Sequence, residues 1–528
     1  MLNRGHNLAA DAHADARTNA IERMKGGTLD VLVVGGGIVG SGVARDAAIR
    51  GLRTALIDRH DFAFGTSSRS SRLLHGGLRY LAQGRIGLVR EASVEKVIIS
   101  RIAPHLAAPL PFIFPTHRGT VWKRWKLAIG VKAYDLLCSG QNLGRSQVLS
   151  ADRTLRKLPG LQPKGLTGAV RYFDGLTNDA RLVLDTIRSA AAAGAMVANY
   201  TALESATAHG DTWRCRVSDK LQWHGRHAHA TGAGQLTELR ARVVVNATGA
   251  WAASLAASGV ALRLTKGVHL VIDRSRLNVP DAVVMAEGSR ILFAIPWGQR
   301  VILGTTDTDY DGPIDTPTCD DSDIRYVLGV ANATFPTAHL EPHDVISSWA
   351  GLRPLIAGGS NARGKPSDLS RRHQIRMTQP GWLDVAGGKL TTYRLMAEQT
   401  VDEVVAYTKR PAARCTTHNT PLLSNGHDPA YSGILPPEVS RAAVEHYCRN
   451  EWAMTLSDVM IRRTSWRYYQ HDHLAVAAQV AGWMAELLDW DEPRRQRELA
   501  VYGEQTGAYA CAGSRPQLRA GNAQVQTV

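Results

Sequence analysis

Gly35, Gly37 and Gly40 stand in the spacing that brings a pyrophosphate against a helix N-terminus, within the run Gly35-Gly36-Gly37-Ile38-Val39-Gly40. Gly35 allows a tight turn, Gly37 lets the backbone approach the anion, and Gly40 lets the following helix pack close to the preceding strand. Unpaired N–H groups and the dipole of that helix then favour negative charge. The flanking sequence supplies the elements this chemistry needs. Residues 29–34 read as a strand before the glycines, and residues 54–58 as a second strand closing on Asp58, whose carboxylate suits a ribose hydroxyl, with Arg59 beside it. Strand, helix and acidic residue together predict a dinucleotide site and leave NAD and FAD open.

Three further stretches extend that signal. Between Phe64 and Leu81, hydroxyls, glycines and cations crowd together in a way that suits a second pass along a diphosphate and a flavin. Val243-Val244-Val245-Asn246 runs as a buried-type strand into Ala247-Thr248-Gly249, and Gly387-Gly388-Lys389-Leu390-Thr391 is a glycine turn opening a helix. Several places of close backbone approach, spread along the chain, imply a long cofactor. With these residues in view the sequence resembles the FAD-dependent glycerol-3-phosphate dehydrogenases of the respiratory, quinone-linked kind. The resemblance rests on Thr66-Ser67-Ser68, Ser70-Ser71-Arg72-Leu73, His75-Gly76-Gly77-Leu78-Arg79-Tyr80-Leu81, Asn246-Ala247-Thr248-Gly249, Lys266-Gly267-Val268-His269-Leu270, Gly304-Thr305-Thr306-Asp307, Gly351-Leu352-Arg353-Pro354-Leu355 and residues 387–394. It covers residues 29–410, and the blocks at 75–81 and 387–394 are specific to that family rather than to flavoproteins at large.

The resemblance implies oxidation of sn-glycerol 3-phosphate to dihydroxyacetone phosphate, with hydride transfer from carbon 2 to flavin N5, a base for the hydroxyl proton, and a membrane quinone as electron acceptor. A phosphate dianion is matched in pairs by guanidinium forks. Arg79 and Arg353 match the family's phosphate and substrate contacts; the plainer reading of each is a surface ion pair. His269 titrates near neutrality and stands as the base, with a structural role as its alternative. Thr306 and Asp307 follow a strand and either line the substrate pocket or form an Asx turn. His75 orients the cofactor, and Lys389, with the N–H groups of Leu390 and Thr391, brings positive potential to the flavin pyrimidine edge. The other expected FAD contacts are Gly35, Gly36, Gly37, Ile38, Gly40, Asp58, Arg59, Thr66, Ser67, Ser71, Leu74, Gly77, Ala247, Thr248, Gly249 and Gly388. Two alternatives stay open: a related flavin enzyme acting on an amine or another 2-hydroxy compound, and a non-catalytic basic protein that binds acidic surfaces.

Charge narrows the partners. The 528 residues carry a formal net charge of +15, which points to a phosphate substrate, an acidic lipid surface or nucleic acid. No zinc spacing, RNP-type aromatic motif or basic low-complexity tract accompanies the charge, so neither nucleic acid nor a metal is expected. Cys138, Cys215, Cys319, Cys415, Cys448 and Cys511 form no C-x-x-C and read as reduced cytosolic thiols. Residues 243–262, the most apolar long stretch, are interrupted by Asn246, Thr248, Gly249 and Ser254 and make a poor membrane span. Residues 121–129 interleave Trp122 and Trp125 with Lys123, Arg124 and Lys126, as interfacial helices do; a helix docked on its own protein is the alternative. The expected placement is cytoplasmic, peripheral to the inner face of the cytoplasmic membrane, with an anionic membrane surface as partner. Homodimerisation is left open.

The elements that must hold these residues predict an α/β protein with an FAD-binding Rossmann-type domain interleaved with an antiparallel-sheet substrate domain and followed by a C-terminal α-helical cap. By resemblance this is the D-amino-acid-oxidase-like flavoprotein fold. Residues 1–28 read as an N-terminal extension without the apolar core of a secretion signal. Residues 29–104, 166–261 and 342–410 are expected in the FAD-binding domain, and 105–165 and 262–341 in the substrate domain, where short apolar runs alternate with proline and glycine turns. Residues 411–528 form the cap, with Pro436-Pro437 opening one helix and 474–488 giving another; the short stretch between Pro421 and Pro437 suggests a reduced version.

Overall fold

The computed structural model describes residues 17–78, 84–138, 142–221, 236–288, 290–357, 373–423 and 431–509. Leu29–Val34 is buried along its whole length, as a strand covered on both faces must be, and pairs in parallel with Leu236–Asn246 on one side and Thr54–Ile57 on the other. The sheet built on it runs Gln374–Gln379, Trp382–Ala386, Leu236–Asn246, Leu29–Val34, Thr54–Ile57, Met196–Ala198. All of these are parallel except the edge strand Gln374–Gln379. Helices Ile38–Ile49, Asp179–Ala192 and Tyr393–Thr408 pack together over one face, around Val43, Ala47, Ile187, Ala397 and Val401. Small residues permit that packing: a Cβ at Gly42 would press on Tyr393 and Ala397 at 3.0 and 3.1 Å.

A ten-stranded second sheet lies beside the first. Its long strand Leu262–Asp273 pairs antiparallel with both Arg300–Gly304 and Val345–Ile356. Beyond Arg300–Gly304 it continues through Arg290–Trp297, Ala282–Glu287, Ala108–His117 and Leu166–Leu176. Leu166–Leu176 and Val345–Ile356 fall in ranges expected to belong to the nucleotide fold, yet their hydrogen bonds place them in this second sheet. Their alternating polar and apolar residues suit a sheet edge as well as a crossover, and only the partner strand decides.

The chain after Pro411 is helical, with Arg441–Asn450, His473–Leu487 and Glu492–Tyr509 as its principal helices. The first begins at Arg441, capped by Ser440, a few residues beyond Pro436-Pro437. These helices share a core with the second sheet, where Tyr447, Trp466 and Met484 join Trp297 and Trp349. Buried ion pairs tie the same region to the nucleotide fold: Arg462 and Arg463 both donate to Asp61, and Arg181 donates to Glu451 at 2.5 and 2.8 Å and to Asp185 at 3.0 Å. Of the N-terminal extension, residues 17–25 form a helix whose Arg17 pairs with Asp219 at 2.9 Å. The segment 424–430 and Cys511 lie outside the described residues.

Candidate active site

A cavity of about 1390 Å3 runs between the glycine turn of the first sheet and one wall of the second. It exceeds the usual 300–1,000 Å3 or so of a small-molecule site, as a long cofactor with a substrate beside it requires. At the glycine turn Gly35 has φ 108°, a conformation that favours glycine, and a Cβ at Gly40 would overlap the Gly35 carbonyl oxygen. Helix Ile38–Ile49 starts with no side-chain cap and no acidic residue in its first turn. Ser67 Oγ accepts from Ile38 N at 3.0 Å, drawing the hydroxyl-rich loop against that helix end. Asp58 lines the cavity and accepts from Gly36 N at 2.6 Å and His60 N at 2.8 Å; burial pushes its carboxyl up to about 7. Arg59 is half-exposed, 3.5 Å from Asp315, which also accepts from Trp251 Nε1 at 2.8 Å.

Gly35, Gly37, Ile38, Asp58, Arg59, Thr66, Ser67, Ser71, His75, Gly77, Ala247, Thr248, Gly249, Gly388, Lys389 and Leu390 all face this cavity. Thr391 instead acts behind it, its Oγ1 accepting from His75 N at 3.0 Å and donating to His75 O at 3.2 Å. Gly36 and Gly40 shape the turn without lining the cavity, and Leu74, expected as a contact, is fully buried in the core under the first sheet while Leu73 takes the lining position. Strand alternation is the reason, since neighbouring residues face opposite sides. Thr66 Oγ1 donates to Leu352 O at 2.6 Å, joining the loop to the second sheet.

On the opposite wall, the pairing of Leu262–Asp273 with Val345–Ile356 sets Thr265 against Arg353 and His269 against Trp349. Arg353 and Asp307 line the cavity and pair at 3.1 Å; Arg353 Nη1 also donates to Thr306 O at 3.1 Å and Nη2 to Thr305 Oγ1 at 3.0 Å. The fork is thus held in one plane at the cavity wall. Thr306, expected on the pocket surface, is buried, and its hydroxyl accepts from Val268 N at 3.0 Å. Its role is to fix the strand end. Arg79 lies outside the described residues.

His269 is buried and stacked on Trp349, ring centroids 5.2 Å apart and 20° between planes. Its Nε2 shares a 2.8 Å hydrogen bond with Ser71 Oγ, and Nδ1 has no hydrogen-bond partner among the described residues. Opposite it stands Gly304, where a Cβ would press on the imidazole at 2.7 Å, so a glycine makes room for the ring. Burial, then Arg353, then Arg72, lower the imidazole to about 3, so the ring does not show the titration near neutrality expected of its type: it is neutral throughout the physiological range and a weaker proton acceptor than a solvated histidine.

The helix expected at an interface spans Arg124–Leu137 and carries two distinct faces. Leu127, Val131 and Tyr134 are buried, whereas Val121, Trp125, Ile129 and Leu136 are exposed by 66, 63, 63 and 78%. Trp122 does not share the outward face: its Nε1 donates to Gly288 O at 3.1 Å and its ring packs on Phe114 at 5.2 Å. Val121, Lys126 and Ile129 nonetheless form part of the cavity lining. Among the described residues no helix is long and apolar enough to cross a membrane, and no cluster of His, Cys, Asp or Glu could hold a metal ion.

Sequence reasoning passed over Trp349, which carries the imidazole, and Arg72, which it noted only as part of a motif. Asp61 went unnoticed too, although it anchors Arg462 and Arg463 of the C-terminal region.

Residues 30–394 match the family described as FAD dependent oxidoreductase, and residues 432–495 match the C-terminal domain of alpha-glycerophosphate oxidase. The chain is 35% identical to a glycerol-3-phosphate dehydrogenase of Mycobacterium leprae, covering 95% of this chain and 92% of that protein. It is 39% identical to an aerobic glycerol-3-phosphate dehydrogenase of Staphylococcus epidermidis, covering 71% of this chain and 66% of that protein. Among solved structures, the glycerol-3-phosphate dehydrogenase of Bacillus halodurans complexed with FAD superposes with a TM-score of 0.74 at 29% identity, over 94% of this chain and 98% of that one.

Proposed function

We propose, from the premise that the chain belongs to the FAD-dependent oxidoreductase family and within it to the glycerol-3-phosphate dehydrogenases, that it oxidises sn-glycerol 3-phosphate to dihydroxyacetone phosphate. The observation that carries the reading is the strand pairing that sets Arg353 and His269 on one wall of the cavity, facing the glycine turn. FAD fits that cavity on the chain's own terms: a helix N-terminus whose N-cap Gly37 makes no side-chain cap and whose first turn holds no acidic residue, a glycine turn open to backbone approach, and hydroxyls at Thr66, Ser67 and Thr248 along the wall. Gly35, Gly37 and Ile38 would hold the pyrophosphate, Asp58 the ribose, and Gly388, Lys389 and Leu390 the flavin end. When bound there, FAD would supply the acceptor for the hydride leaving carbon 2 of the alcohol and the route by which the electron pair leaves the site.

The protein's own residues supply the rest. Arg353, planar and held by Asp307, Thr305 and Thr306, offers guanidinium nitrogens to the phosphate, together with Arg79. His269, kept neutral by burial and by nearby cations, has one proton-accepting nitrogen and takes the hydroxyl proton as the alcohol becomes a ketone. Ser71 and Trp349 hold the ring while it does so.

The acceptor in this reading is a quinone dissolved in the bilayer. Support comes from helix Arg124–Leu137, which exposes Trp125, Ile129 and Leu136 among Lys123, Lys126 and Lys132 while its flank lines the cavity. An apolar stripe rimmed by cations suits peripheral docking on the anionic inner face of the cytoplasmic membrane. Anaerobic addition of glycerol 3-phosphate tests the central reading: the oxidised-flavin absorption of the purified protein should bleach, and glycerol at the same concentration should leave it in place. Equal bleaching by both would remove phosphate recognition.

A further inference from the structure

Arg72 occupies an environment that is unfavourable for an arginine in three separate respects. It is 1% exposed, its backbone sits in the left-handed region at φ 58°, and no carboxylate lies within ion-pair distance among the described residues. Only Nη2 is hydrogen-bonded, donating to Ser465 Oγ at 2.9 Å; Nε and Nη1 are buried without a partner among the described residues. In place of an anion the guanidinium has aromatic faces, 4.3 Å from the Trp297 ring centroid and 5.4 Å from that of Trp349. With no carboxylate in contact among the described residues, and with the longer-range field of Asp179 opposing the effect of burial only in part, this cation costs stability, and an apolar side chain of similar volume would pack between two indoles at less cost. A left-handed backbone adds strain for any residue with a Cβ.

The surroundings indicate what offsets these costs. Trp349, against which Arg72 lies, is the ring on which His269 stacks, and its Nε1 donates to Ser70 O at 3.2 Å. Ser70 Oγ accepts from Arg72 N at 3.0 Å, Asp179 holds Ser70 N at 2.9 Å, and Ser71, next in the chain, holds His269 Nε2. Arg72 therefore borders the imidazole twice, through the serine beside it and through the indole beneath it. Ser465, its hydrogen-bond partner, belongs to the C-terminal helical region, which is thereby joined to the site wall.

We propose that Arg72 is a positioning residue for His269: clamped between Trp297 and Trp349 and tied to Ser465, it fixes the plane of the indole and the serine loop that together hold the imidazole. This rests on His269 acting as the proton acceptor. Among the described residues the imidazole is bordered by Ser71, Trp349, Gly304 and the two arginines Arg72 and Arg353.

The test is a double-mutant cycle on the purified holoenzyme, read as the limiting rate of flavin reduction by glycerol 3-phosphate, with FAD content and Tm measured alongside. Arg72→Met should keep FAD and a Tm no lower than wild type, slow the limiting rate about tenfold with little change in substrate Kd, and act no further once His269→Asn is present. Arg72→Lys should recover most of the rate, because the cation returns between the same rings. An additive loss in the Arg72→Met, His269→Asn double variant would place the effect of Arg72 elsewhere and overturn the proposal, as would an unaltered rate in Arg72→Met. A falling Tm with loss of FAD in both Arg72 variants would make the residue an ordinary part of the core and equally overturn it. If His269→Asn alone reduces flavin at the wild-type rate, the base assignment itself has failed, an outcome visible in the single variant.

Discussion

Replacing Arg353 with Lys tests whether the fork or merely its charge recognises the substrate. Arg353 Nη1 donates to Thr306 O and Asp307 Oδ1, and Nη2 to Thr305 Oγ1. A lysine at this strand position keeps the cation but offers one head, and Asp307, at the cavity wall, competes for it. The phosphate then keeps a screened Coulomb attraction and loses at least one charge-assisted hydrogen bond, worth about 1.5–3 kcal/mol. At about 1.4 kcal/mol per tenfold, kcat/KM should fall roughly 10- to 150-fold. The phosphate is recognised in the ground state and the transition state alike, so most of the loss should appear in KM. Steady-state kinetics with a soluble dye as acceptor separates the two constants, and FAD content measured by absorbance after denaturation should match wild type, since Arg353 lies across the cavity from the glycine turn. The ratio of activity on glycerol 3-phosphate to activity on glycerol should drop by the same factor. A kcat/KM within about twofold of wild type, less than about 0.5 kcal/mol, would refute the clamp and leave Arg353 as a structural partner of Asp307.

Other substitutions separate local from cofactor effects. At Gly37 a Cβ meets only Ser67 Oγ, at 3.2 Å, so Gly37→Val should fold with a Tm near that of wild-type apoprotein yet purify colourless, whereas Gly40→Val, colliding with the Gly35 carbonyl, should lose Tm as well, overpacking costing about 1–3 kcal/mol. Stoichiometric FAD in Gly37→Val would contradict the turn assignment. His269 is lowered from 6.5 to about 3 by burial and neighbouring cations, so over that window the unfolded chain binds a proton that the folded one refuses. Stability should therefore decline as pH falls from about 6.5 towards 3, at up to about 1.4 kcal/mol per unit, and denaturant titrations should show a shallower decline in His269→Asn; parallel curves would mean the ring is not buried and neutral. For the membrane face, Trp125→Ser with Ile129→Ser should abolish the salt-resistant part of binding to anionic vesicles and impair turnover with a bilayer quinone, while dye turnover persists; Trp122→Phe should bind normally, because Trp122 is docked on Gly288 and Phe114. Undiminished vesicle binding by the double variant would move the docking surface elsewhere.

The parts of this site that could be read from sequence are those whose causes lie close along the chain. Gly35, Gly37, Gly40 and Asp58 fall within one strand, turn, helix and strand, and the steric demands that select glycine there are local: a left-handed φ at Gly35 and a helix pressed onto a carbonyl at Gly40. The same holds for the amphipathic stretch at 121–129, except that interleaved cations and indoles do not say which indole faces outward. Trp122 precedes the helix and turns back onto Phe114, and only Trp125 joins the exposed stripe. Sheet membership failed for a different reason. Nearness in sequence to the nucleotide-fold motifs assigns Leu166–Leu176 and Val345–Ile356 to that fold, but hydrogen-bond partners, which lie far away in sequence, place both in the second sheet.

Arg72 sharpens the point. Its side chain reaches Ser465, 393 residues away, and its rings come from Trp297 and Trp349, so nothing near it in sequence announces an aromatic clamp. Judged by local rules the residue is simply wrong: a β-carbon at positive φ, a cation in the core, two nitrogens without acceptors among the described residues. Local rules break where a long-range requirement overrides them, and such places cluster at functional sites. The sequence could mark Arg72 as part of a family block. Only the fold shows that the block carries a charge beneath the indole on which the imidazole rests, and the stability that Arg72→Met is expected to retain is the measurable sign that packing alone does not keep the arginine there.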